Sequence, residues 1–167
     1  MTQKATPIET ELGTIVGRDA IYLKEVVFIH DGEYCIKATV LGFNCTKIAE
    51  DVDFAISLTF KGVFVWRAVE LDVAEHVTNI ETDSSFDLVE HSELLANLRK
   101  WDQASKTGKI DRGYDANGKY SDQVWHQHFV LSTYDTVFEI IAQSYDLVIE
   151  ESEPAVYVSV EDALKQK

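Results

Sequence analysis

The sequence predicts a single, mainly β domain: a β-dominated α+β fold in which successive hairpins build an antiparallel sheet or sandwich, with one covering helix near residues 92–102. Three observations predict it. The β-branched and aromatic residues fall in short clusters rather than long runs. Several clusters alternate apolar with polar residues at period two, as half-buried strands do. Glycine-bearing pairs that favour tight turns separate them.

The 167 residues fit one domain, and 46% apolar content supplies a core. Residues 1–11 are polar and contain Pro7, and are expected to form a loose arm or a short lead-in strand. Ile21 to Ile29 alternates, with Ile21, Leu23, Val27 and Ile29 on one face and Glu25 interrupting it. Asp31-Gly32 suits a type I′ turn, and Tyr34 to Leu41 is the return strand. A second hairpin is expected from Phe54 to Val69. Phe54, Ile56, Leu58 and Phe60 share one face, Lys61-Gly62 supplies the turn, and the strand returns from Val63. A further strand is expected over Leu71 to Ile80.

The helix rests on Ser92 as N-cap, Glu93 in the first turn, and Leu94, Leu98 and Trp101 at i, i+4 and i+7. Asp87 with Glu90 offers an alternative capping box. Residues 105–123 form a long polar loop, the length at which loops are often functional or disordered. Residues 127–149 read as strands, with a helix over Thr136 to Gln143 as the rival. Val156, Val158 and Val160 suit an edge strand.

The net charge is −14, and it is unevenly spread. Ala68 to Leu98 holds eight acidic residues and no Lys or Arg; Tyr120 to Leu164 holds nine and again none. Arg99 to Lys119 between them has six basic residues against three acidic ones. This balance speaks against phosphate-backbone binding and against an anionic membrane, and it favours a basic protein partner. It also simply keeps a chain in solution. No signal-peptide core or bilayer-length apolar run is present in the sequence, so the expected location is cytoplasmic. Cys35 and Cys45 are too few for a disulfide framework and sit among apolar residues, as buried thiols do.

Chemical motifs are sparse. His126 and His128 form an H-x-H pair that on a strand would share a face, as metal ligation needs, but no neighbouring residue fixes the remaining ligands. The Asp111 to Asp122 loop departs from the EF-hand template, where Gly113 and Val124 fall at positions that require Asp and Glu. No nucleophile elbow, phosphate loop or dinucleotide fingerprint occurs, so no cofactor and no enzymatic activity are expected.

The expected function is therefore a protein-binding module: a small acidic intracellular protein that meets a basic partner, such as a toxin-neutralising immunity protein or an inhibitor. Tyr114, Tyr120, Trp125, Asp83, Asp87 and Glu90 are the expected contact residues. Two alternatives stand beside it. One is a ligand-binding or metal-dependent domain with its site near His126 and His128. The other is an assembly subunit that pairs through an exposed sheet edge. A contiguous apolar patch or an open edge would favour the last; a continuous acidic face without a pocket would favour the first.

Overall fold

The structure, a computed structural model, describes residues 2–30, 32–49, 52–106 and 126–150. Ten strands and two α-helices occur among them: β1 (Gln3–Pro7), β2 (Ile21–Ile29), β3 (Glu33–Leu41), β4 (Asp53–Lys61), β5 (Val65–Glu70), α1 (Leu71–Thr78), β6 (Ile80–Glu81), β7 (Phe86–Val89), α2 (Glu93–Lys106), β8 (Gln127–Ser132), β9 (Thr136–Ala142) and β10 (Ser144–Glu150). They make two sheets. One has six strands in the order β5-β9-β8-β7-β1-β6; the other has four in the order β10-β4-β3-β2. All pairings are antiparallel except that of β1 with β6.

The main core lies between the sheets. From the four-stranded sheet come Ile36, Ala38 and Val40 of β3 and Ile56, Leu58 and Phe60 of β4. From the six-stranded sheet come Phe86, Phe129, Leu131, Phe138 and Ile140. Each set repeats at period two, so the expected alternation and the observed burial coincide. A smaller cluster occupies the other face of the six-stranded sheet, where Ala5, Val130 and Val137 meet Ala74 of α1. The mainly β class is thus correct, and strands rather than a helix fill residues 136–142.

The β2–β3 hairpin forms as expected, with Gly32 at φ +77°. Its face assignment needs correction. A bulge between Leu23 and Glu25 shifts the register, so that Ile21, Leu23, Val26 and Phe28 oppose Val40, Ala38, Ile36 and Tyr34. Val27 and Ile29 therefore fall on the outer face.

Four further expectations are corrected. Of the two forms expected for residues 1–11, residues 3–7 take the strand and not the loose arm: β1 is an interior strand between β7 and β6, and Ala5 is fully buried. The 54–70 segment is not a hairpin. Both sides of β4 are taken by β3 and β10, and β5 pairs with β9 instead. The chain changes sheets at Gly62, whose φ of +57° a side chain rarely adopts and whose added Cβ would lie 2.6 Å from Gln143. Gln143 is where the chain crosses back between β9 and β10, and its N–H donates to the Lys61 carbonyl. The expected strand at 71–80 is α1, because Leu71, Ala74 and Thr78 recur at helical spacing against the sheet and Asn79 ends the helix in the left-handed conformation. Asp87 and Glu90 do not cap the long helix, since Phe86–Val89 is strand β7. Ser92 does, accepting the Leu95 N–H at 2.9 Å.

Candidate interaction edge and polar sites

β2 closes one side of the four-stranded sheet, and among the described residues β3 is its one strand neighbour. The strand is nine residues long, and Tyr22, Leu23, Val26, Phe28 and Ile29 are exposed, Phe28 to 64%. Ile21 reaches the core, whereas Leu23, Val26 and Phe28 on the same side of β2 are exposed and none of them belongs to the core cluster. An aromatic row leads inward from this edge: Phe28 lies 4.9 Å from Tyr34, which stacks on Trp66 at 4.5 Å. At the other end Tyr22 stacks on Tyr134 at 5.2 Å, and the Ile21 carbonyl accepts the Tyr134 N–H at 2.9 Å. Free edges of this length and apolarity invite pairing with another chain. Lys24 at the bulge and Glu25, bonded to Lys37 at 2.6 Å, interrupt the apolar row.

A second surface feature is a cleft of about 360 Å³ lined by Arg18, Asp19, Glu70, Leu71, Asp72, Tyr134 and Asp135. Four carboxylates there face one guanidinium, and Arg18 reaches Asp72 at 3.6 Å. This arrangement has surplus negative charge and suits a cationic group.

The third feature is a buried polar chain on the helix-bearing face of the six-stranded sheet. Ser92 Oγ lies 2.7 Å from His128 Nδ1, His128 Nε2 lies 3.1 Å from Glu139 Oε1, and Glu139 Oε2 accepts from Arg67. His128 and Glu139 are 1% and 3% exposed. Ser92 Oγ also accepts the Leu95 N–H, and because a hydroxyl both donates and accepts it can bond Nδ1 in either tautomer of His128. The Nε2–Oε1 approach lacks the alignment of a full hydrogen bond and is an electrostatic contact. Burial alone would push the Glu139 carboxyl up. The close approach of His128 and the bond from the Arg67 guanidinium outweigh it and hold the group below the usual carboxylate range. Ser, His and Glu in series resemble a nucleophile relay, but Ser92 is occupied as a helix cap and is buried. The arrangement ties α2 to β8, β9 and β5. Ser92→Ala removes the cap and leaves Nδ1 unpaired, so it is expected to lower stability by about 2–3 kcal/mol in urea titration.

The residues singled out by sequence fall in different places. His126 precedes β8; its ring lies 5.5 Å from Phe64, burial pushes its pKa down, and its Nδ1 is buried without a hydrogen-bond partner. His128 has one ring nitrogen against Ser92 and the other against Glu139. Among the described residues no group of three or more His, Cys, Asp or Glu is placed to hold a metal. Asp83 and Glu90 are exposed, and Asp83 lies 3.8 Å from Lys4. Asp87 is corrected as a contact residue: it is fully buried, its carboxylate accepting the backbone N–H groups of Asp83 and Ser84. Tyr114, Tyr120, Trp125, the 105–123 loop beyond Lys106 and the valines at 156–160 lie outside the described residues. Both cysteines are buried free thiols, and burial pushes the Cys45 pKa up.

The edge at β2 was missed by sequence reasoning. Its apolar residues read as core, and the signal available was Lys24-Glu25 in the middle of an apolar strand. No helix among the described residues is long and apolar enough to cross a membrane. Comparison of the chain with protein-family models, with curated proteins and with solved structures finds no match in any of the three.

Proposed function

We infer that the chain is a protein-binding subunit that docks through the β2 edge of its four-stranded sheet. The observation that carries this reading is a nine-residue margin strand with five exposed large apolar side chains. Backbone groups along such a margin give affinity by strand addition, and alternate side chains give selectivity. Exposed apolar area of this kind costs solubility unless something uses it. The net charge of −14 offsets that cost and keeps the free chain dispersed.

The test is site-specific photo-crosslinking in the cell of origin. Phe28→benzoylphenylalanine is expected to yield a discrete protein adduct. Val77→benzoylphenylalanine, at an equally apolar exposed position on α1, is expected to yield none. Adducts from position 77 alone, or from neither position, contradict the reading.

The acidic cleft at Asp19, Glu70, Asp72 and Asp135 favours a second reading, in which a basic partner such as a toxin is the target and the chain acts as its immunity protein or inhibitor. Binding of that kind weakens steeply as salt rises, whereas docking through apolar β2 does not.

A further inference from the structure

Resting on the reading of β2 as the docking edge, we propose that its occupant is a second copy of this chain, paired antiparallel β2 to β2 about a two-fold axis. The strand is self-complementary. The bulge places Ile21, Leu23, Val26 and Phe28 on the inward side of the strand, opposite the β3 positions Val40, Ala38, Ile36 and Tyr34. Turning a second copy about an axis between Lys24 and Glu25 sets Leu23 against Val26 on the inward side and Tyr22 against Val27 on the outward side. Lys24 of each copy meets Glu25 of the other.

A two-fold axis normal to a sheet keeps every residue on its own side, so an unbulged strand could not set adjacent residues such as Lys24 and Glu25 opposite each other. The bulge supplies the change of parity that makes it possible. The pairing also answers the electrostatic question. A bulge with a lysine at its centre is a device that protects edges from indiscriminate pairing. An apolar foreign strand would bring Lys24 no carboxylate, whereas each copy of this strand brings Glu25, which would then bridge Lys24 of the other copy and its own Lys37, so the same feature that repels other strands accepts this one. β2 carries one cation and one anion and no net charge, which suits the approach of two chains that are each at −14. The ladder stops at Tyr22 because the Ile21 carbonyl is already bonded to Tyr134. Phe28 of one copy then lies beside Ile21 of the other on the inward side, at the end of the ladder.

The experiment is sedimentation equilibrium of the full chain between about 1 and 200 µM, a range that covers weak to ordinary protein pairs, in about 0.15 M salt to screen the mutual repulsion. A concentration-dependent dimer is expected. Lys24→Glu and Glu25→Lys each place like charges opposite one another twice, and each is expected to weaken the dimer about tenfold. An equimolar mixture of the two variants restores both attractive pairs and is expected to form a heterodimer as tight as the parent. Near-parental melting temperatures identify both variants as folded. A parent chain that stays monomeric throughout, or a dimer indifferent to both substitutions, overturns the proposal. A monomeric parent whose position 28 nevertheless crosslinks to a different protein overturns self-pairing while leaving β2 as the docking edge. Absence of both results overturns the edge reading itself.

Discussion

Replacing Phe60 by alanine is expected to cost about 3–5 kcal/mol. Phe60 is fully buried on β4, and its ring lies 5.7 Å from Phe129, 6.1 Å from Phe86, 6.3 Å from Trp66 and 6.4 Å from Tyr145. These neighbours belong to β8, β7, β5 and β10, so one side chain joins both sheets of the sandwich. Phe86, Phe129 and Tyr145 also contact one another. They are held at their positions by separate strands and cannot all collapse into the space left, and the unfilled cavity adds to the lost transfer free energy. A domain of this size is stable by about 5–15 kcal/mol, so the variant sits near the limit of folding. Phe60→Leu keeps most of the volume and is expected to lose under about 1.5 kcal/mol. Guanidinium titration of the two variants checks the difference; equal losses would show that the ring cluster is not the keystone.

The second large effect is expected at Glu139. Glu139→Gln keeps the shape of the side chain and removes the charge that faces His128 and Arg67. The expected loss is about 2–3 kcal/mol at neutral pH, since the Arg67 side chain is 42% exposed and recovers part of its solvation. The pH dependence has a definite sign. The folded carboxyl titrates below its ordinary value, so near and below that value the unfolded chain binds more protons than the folded one. Its stabilising contribution is therefore complete above the ordinary carboxylate range and is lost as pH falls through and below it. The Glu139→Gln variant is expected to show a flatter decline there than the parent. Parallel acid-stability curves for parent and variant would remove Glu139 from the account.

The parts of the fold that were legible in the sequence are those set by local chemistry. The β2–β3 hairpin follows from a glycine in a positive-φ turn between two sheet-forming runs, and α2 follows from Ser92 and the Leu94–Leu98 spacing. Pairing partners were less legible. Nothing local in Phe54 to Val69 tells that β4 will take β10 as its neighbour, or that Gly62 is a corner between sheets and not a hairpin turn. β1 was legible only as one of two options for residues 1–11, because a polar five-residue strand needs neighbours on both sides, and those come from residues about 80 positions away. α1 was hidden by Val73 and Val77, which look like strand residues and are the exposed side of a helix.

Site legibility follows the same rule. Asp87 was visible as an acidic residue, but its burial under the Asp83–Ser84 turn is tertiary. His128 was visible as half of a histidine pair, but its partners Ser92 and Glu139 are distant in sequence. The β2 edge depends on which strands end up beside which, and on a bulge that reverses the faces midway along the strand.

We propose β2 as the surface through which this chain meets other protein. Amide spectra of the isotopically labelled chain, recorded dilute and then inside its own cells, test it residue by residue. Amides of residues 22–29 are expected to broaden or shift in the cell, while those of 144–150, on the opposite margin of the same sheet, keep their positions. Unchanged β2 signals beside altered signals from β10 or the acidic cleft would contradict it.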